Sequence, residues 1–330
     1  MEIPATFCPW RVIIHRFLWR WDCGLKFNAL GNRQLQLTPR LGIRIALALS
    51  VRFRFYALLF CCVAACPVWA SLSPVAVIPF EYRQGLLWVQ IKAEQADRPL
   101  QFLFDTGASV SVINCDTAKV LGLTSGRTIH VNGVNATAVG QWPAKLSAKA
   151  GRLKLPSKYL SLDLSQLALS CGQPVDGLLG ADFLRGRVVE IDFNNYQLRI
   201  LRSAEPAKGD VILPIKHSGD CYVVFAAVNN QKNQPLRLDT GCASPLQWVT
   251  GDLHGSVQVT TPAIGLAACL IPQTKTTVSL GDLTFNRVAT GMHDQAIFSG
   301  EAGLLGNGLL SRFASVTIDA KSKHLILSPK

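Results

Sequence analysis

Charge is scarce in this sequence: 16% of its 330 residues are charged and 49% are apolar. That balance excludes a disordered chain, because enough apolar surface is present to build a sizeable core, even two. Low-complexity tracts are also missing, and the 26 Gly and 17 Pro are spread along the chain. Acidic residues are the scarcer sign, 21 against 33 Lys and Arg. The basic excess is uneven, since residues 1–70 hold nine basic and two acidic residues and the remainder holds 24 and 19. Most of it therefore lies outside the part expected to fold, and a nucleic-acid partner is not expected. No CxxC pair or Cys/His spacing suits zinc, and the six His are scattered, so neither a metal nor an organic cofactor is expected.

The apolar run at residues 55–65 is too short to span a bilayer comfortably. It follows Arg52 and Arg54 and precedes small residues, which is the order of a secretory signal over residues 51–70. Two readings of its processing stand, beside that of an uncleaved anchor. Cleavage between Ala70 and Ser71 satisfies the small-residue rule, whereas "VAAC" at residues 63–66 resembles a lipoprotein box that would acylate Cys66 and leave a lipid anchor there. Either places the mature protein in the periplasm, in the medium or on a membrane by its anchor. Residues 1–50 read as neither structure nor signal, which puts the expected true start near Val51. Beyond the signal lie Cys115, Cys171, Cys221, Cys242 and Cys269, an odd number that leaves one thiol unpaired unless Cys66 survives.

The chain repeats itself. Residues 78–109, ending "FLFDTGAS", align with residues 213–244, ending "LRLDTGCAS", once one gap is allowed. Downstream, "GLLGADFL" from Gly177 aligns with "GLLGNGLL" from Gly303. Order and approximate spacing are kept, 72 residues from Asp105 to Gly177 and 64 from Asp239 to Gly303. Two related lobes are expected, 74–202 and 210–330, joined by the polar "SAEPAKG" of residues 203–209. Short β-branched or alternating runs such as "LLWVQIKA", "YVVFAAV" and "VVEIDF" make the expected fold class mainly β. "NCDTAKVLGL" predicts a short helix capped by Asn114 and ended by Gly122, whereas "LQWVTGDLHGS" in the second half reads as loop.

A strand ending in Asp-Thr-Gly presents a carboxylate on a tight turn, and the Gly allows an approach that a Cβ would block. One such triplet is only a turn. Two, on lobes related by a pseudo-twofold axis, bring Asp105 and Asp239 face to face. Two touching carboxylates cannot both ionise easily, so the pair shares a proton and titrates as a unit. The charged member can take a proton from water while the other donates to a carbonyl oxygen.

On these residues the sequence resembles the aspartic proteases of the pepsin and retropepsin superfamily, and its compact lobes and Ala108 are closer to bacterial retropepsin-like proteins. The motifs are Phe104-Asp-Thr-Gly-Ala with Gly-Leu-Leu-Gly at 177–180, and Leu238-Asp-Thr-Gly-Cys with Gly-Leu-Leu-Gly at 303–306. The resemblance implies two acid-protease β-barrel lobes with the active site between them. Asp105 and Asp239 would be catalytic, with Thr106, Gly107, Thr240 and Gly241 supporting them. It further implies reciprocal hydrogen bonds from Thr106 and Thr240, apolar pairs Leu178–Leu179 and Leu304–Leu305 packed behind the loops, and a monomer holding both lobes. A β-hairpin flap is implied at residues 130–142, containing Gly133, with a weaker candidate at 261–272, containing Gly265; neither holds the Tyr typical of the family. A peptide or protein substrate would bind by strand addition beneath them. The implied activity is endopeptidase hydrolysis, and the alternative is an inactive protease-like module that captures peptides without cutting them. Cys242, where Ala or Ser is usual, is read as an apolar filler; a thiol enzyme would need a base that the sequence does not reveal. The sequon at Asn135 is expected to carry no meaning if the source is bacterial, as the signal suggests.

Overall fold

The computed structural model describes residues 73–124, 126–133, 136–250, 257–261 and 269–330. The signal segment with Cys66 and Ala70, the sequon residue Asn135 and Gly265 lie outside them. The described residues are mainly β, and none of their helices is long and apolar enough to cross a membrane.

Ala76–Arg83 and Leu86–Ala93 form a hairpin whose turn, Gln84 and Gly85, has positive φ at both positions, matching the right-handed twist of the strands. Leu86–Ala93 is apolar on both faces at its start. Leu87, Val89 and Ile91 enter the main core, while Leu86 and Trp88 enter a second cluster with Leu103, Leu160 and Leu178. The strand Leu100–Phe104 pairs antiparallel with Leu86–Ala93 and parallel with Gly177–Leu179. Gly177–Leu179 in turn pairs antiparallel with Val112–Asn114. The chain thus leaves one side of Gly177–Leu179 at Asp105, loops over its end and returns on the other side. Leu178 and Leu179 are buried beneath that loop.

The same pairing recurs in the second half. Gln234–Asp239 runs antiparallel to Cys221–Val228 and parallel to Gly303–Gly306, and Gly303–Gly306 runs antiparallel to Leu246–Val249. The stretch from Leu246, expected as loop, is therefore a strand. Its Leu246, Gln247 and Trp248 are buried and it also pairs with Leu283–His293, so tertiary pairing overrides the two glycines that follow.

One antiparallel sheet joins the halves. At its centre Val188–Asp192 pairs with Ser315–Asp319; Gln197–Leu201 and Ala76–Arg83 extend it on one side, His324–Ser328 and Val211–Ser218 on the other. Val189, Ile191, Val316, Ile318, Leu325 and Leu327 on this sheet belong to the same core as Phe102, Phe104 and Leu238.

The helix Cys115–Val120 forms where expected, and Gly122 follows it at φ +63°, with the Leu123 N–H reaching back to the Ala118 carbonyl at 2.9 Å. Asn114 precedes the helix but does not cap it. Its Oδ1 instead accepts from the Leu164 N–H at 3.4 Å. A second helix, Ser165–Cys171, closes the Trp88 cluster with Leu167 and ends on Gly172 at φ +62°. Between them the strands Arg127–Gly133 and Ala136–Lys145 form a hairpin, as expected for residues 130–142. Val257–Thr261 and Cys269–Leu280 pair likewise in the second half.

Candidate active site

Both Asp-Thr-Gly triplets sit at strand ends. The Asp105 N–H still bonds the Leu179 carbonyl at 2.9 Å, so the carboxylate stands on the last rung of the ladder. Beyond it the two loops grip each other. The Thr106 N–H donates to Thr240 Oγ1 at 3.0 Å, and Thr240 Oγ1 donates to the Phe104 carbonyl at 2.7 Å. In return the Thr240 N–H donates to Thr106 Oγ1 at 3.1 Å, and Thr106 Oγ1 donates to the Leu238 carbonyl at 2.7 Å. Each hydroxyl is buried, accepts one bond and donates one, and so leaves no polar group unpaired.

This grip delivers the carboxylates to one place. A Cβ on Gly107 would run into the Asp239 carboxyl, and one on Gly241 would run into that of Asp105, so each glycine is the floor on which the opposite carboxylate rests. Asp105 is fully buried and Asp239 nearly so, and their carboxyls are within hydrogen-bonding reach of each other. Asp105 Oδ1 accepts from the Gly107 and Ala108 N–H groups at 3.0 and 3.1 Å, while Asp239 Oδ1 accepts from the Gly241 N–H alone at 2.9 Å. Asp105 Oδ2 is buried and takes no hydrogen bond from another protein group, which leaves it open to a hydrogen from a protonated Asp239. Burial raises both carboxyls above their usual range. For Asp105 its two backbone donors, the Asp239 hydrogen bond and Arg237 all oppose the rise, whereas for Asp239 the negative charge of Asp105 adds to it and only Arg237 and the single Gly241 N–H oppose it. The arrangement favours one proton on the pair, held on Asp239.

A cavity of about 450 Å³ opens over the pair. The hairpin Arg127–Lys145 forms part of its wall through Ile129, Val131 and Ala138, and Val112, Leu160 and Leu178 make it apolar; Phe298 contributes from the second half. Such a concave, mostly apolar space with two carboxyls at its floor suits a side chain of an extended substrate.

Cys242 follows the second triplet, and burial pushes its thiol up to about 12. Its Sγ lies 3.1 Å from Ser244 Oγ, which accepts from Gln247 Nε2 at 2.6 Å, and Gln247 Oε1 meets His293 Nε2 at 2.8 Å. His293 is thus two side chains removed from the thiol, and the packing role expected of Cys242 fits this protonated, inward-held sulfur. Cys115, Cys171, Cys221 and Cys242 are all free thiols. Among the described residues no group of His, Cys, Asp and Glu has the arrangement of a metal site.

Residues 89–183 match the family model for aspartyl proteases. That stretch is similar to the aspartyl protease family. The matched stretch holds Asp105, Thr106, Gly107 and the first Gly-Leu-Leu-Gly, and stops before Asp239, which joins the site through the fold. No curated protein matches the chain.

Three residues of the site escape sequence reasoning. Arg237 and Glu301 are a buried ion pair beside Gly107, and Asn307 Nδ2 donates to the Gly85 and Thr240 carbonyls at 2.8 and 2.6 Å, tying the halves together. The one available signal was Arg237 itself, a charge in "LRLD" where the first half reads "FLFD".

Proposed function

We propose that the protein is an aspartic endopeptidase that hydrolyses peptide bonds with a water activated between Asp105 and Asp239. The observation that carries this reading is the pair of buried carboxyls in mutual contact, each seated on the other loop's glycine. A substrate strand lies under the hairpin Arg127–Lys145 with its scissile carbonyl above the pair. Ionised Asp105 takes a proton from the water as its oxygen attacks the carbonyl carbon, and Asp239 gives its proton to the carbonyl oxygen. Collapse of the tetrahedral gem-diol breaks the C–N bond: the proton gained by Asp105 passes to the leaving nitrogen, one hydroxyl returns its proton to Asp239, and the acyl part leaves as the carboxylic acid. Acid–base assistance of this kind contributes about 10²–10⁴-fold, with positioning supplying much of the rest.

The same reading includes descent of the two halves from one duplicated lobe, so that a single chain forms the whole site, and export with processing at Ala70 or Cys66. The experiment is a cleavage-site profile of the purified protein on a denatured proteome at several pH values, with and without a chelator. Cuts that persist with the chelator and vanish in Asp105→Asn and Asp239→Asn support an aspartic endopeptidase. Peptides retained uncut would establish a binding module instead.

A further inference from the structure

Arg237 and Leu103 occupy the same register position in the two halves. Leu103 pairs with Trp88 and Leu178; Arg237 pairs with Val223 and Leu304. Leu103 lies in an apolar cluster, whereas Arg237, 9% exposed, stacks its guanidinium on Phe298 at 3.5 Å and meets Glu301, 6% exposed. Arg237 Nε and Nη2 donate to the two Glu301 oxygens at 2.7 and 2.8 Å. Stability does not account for this substitution, since a buried ion pair is often no better than the apolar residues that would replace it.

What the arginine has and a leucine lacks is a third donor. Arg237 Nη1 donates to the Gly107 carbonyl at 2.9 Å, across to the loop of the first half, and Cys221 Sγ reaches the same oxygen at 3.3 Å. That carbonyl belongs to the Gly107–Ala108 peptide, whose N–H is the Ala108 donor to Asp105 Oδ1. A cation on the oxygen of a peptide polarises it and strengthens the bond its N–H donates. The second half has no counterpart, because Asp239 Oδ1 takes only the Gly241 N–H.

We propose that Arg237 is a positioning residue: clamped by Glu301, it acts through the Gly107–Ala108 peptide to favour an ionised Asp105 and so assigns the shared proton to Asp239. Its role in turnover rests on the hydrolytic reading above; its effect on the pair does not. The titratable groups around the pair are few among the described residues. Arg237 and Glu301 are the ion pair just described, and Cys221 and Cys242 have their thiols pushed up to about 12 by burial and stay neutral. His130 on the hairpin and Asp220 line the same cavity, and Asp220 is paired with Arg185 at 2.7 Å.

The test removes both charges together, Arg237→Met with Glu301→Leu, so that neither partner is left buried alone. Carboxyl-carbon NMR titration of protein labelled with 13C-aspartate reads the pair directly, with Asp105→Asn and Asp239→Asn for assignment. In the charge-free variant the lower apparent pKa of the pair should rise by about one unit or more. The acidic limb of the kcat profile on a denatured protein substrate should move up with it, with kcat falling about tenfold and KM moving less. If that variant loses its melting transition, Arg237→Gln with Glu301→Gln must show the same shift. A pair that titrates at the wild-type pH in a folded charge-free variant overturns the inference. A shifted titration in a protein that hydrolyses nothing sustains it and overturns the endopeptidase reading instead.

Discussion

Thr106 and Thr240 each hold the other's loop: each backbone N–H donates to the other's hydroxyl, and each hydroxyl donates to the carbonyl just ahead of the other's Asp, at 2.7 to 3.1 Å throughout. The two carboxylates are therefore placed by one four-bond lock rather than by two independent turns. Thr240→Val keeps the shape but strands the Thr106 N–H and the Phe104 carbonyl in a buried site. A loss of about 2 kcal/mol or more is expected, because each orphaned buried group costs about 1–3 kcal/mol. Urea unfolding with an unchanged m-value checks it, and Thr240→Ser should recover most of the loss.

If Asp105 and Asp239 form one site, Asp105→Asn and Asp239→Asn each abolish hydrolysis, and the double variant is no worse than either. Groups that act as a unit are strongly non-additive, whereas two separate sites would leave about half the rate in each single variant. Initial rates on the three variants, each folded by its melting transition, decide between these outcomes.

Both carboxyls have folded-state pKa values raised by burial, so the folded protein binds more protons than the unfolded chain above the usual carboxylate range of about 4. Stability then falls as pH rises through that window, since the slope has the sign of the unfolded minus the folded proton count. The contribution is fully present below the unfolded pKa and lost as the pair ionises. Asp239→Asn removes one ionisation and should melt closer to wild type at low pH and progressively higher than it towards neutrality. Melting curves across that range test the sign, and a gap that narrows with rising pH would refute it.

Cys242→Ala should retain most activity. A thiol pushed up to about 12 supplies hardly any thiolate near neutral pH, and its hydrogen-bonding runs to Ser244 rather than to a base. Activity lost in Cys242→Ala but kept in Asp105→Asn would shift the chemistry to the sulfur.

Hydrophobic alternation and the repeated triplet carried the β class, the helix after Asn114 and the two aspartates, because these depend on neighbours along the chain: strand, turn, glycine. The resemblance of the paired Asp-Thr-Gly and Gly-Leu-Leu-Gly motifs to the aspartic proteases also implied which apolar pairs would lie beneath the loops, and Leu178, Leu179, Leu304 and Leu305 are buried there. Leu246–Val249 was not legible as a strand, since its local pattern resembles a loop and only pairing with Gly303–Gly306 and Leu283–His293 makes it one. Asn114 likewise had the chemistry of a cap, but Leu164, 50 residues away, claims its side chain. The asymmetry of the carboxyl pair belongs wholly to the tertiary structure. Nothing local to Arg237 says that Glu301 will lie against it or that its remaining donor will meet Gly107, 130 residues away, because a long-range contact is fixed by the packing of sheets and not by spacing along the chain.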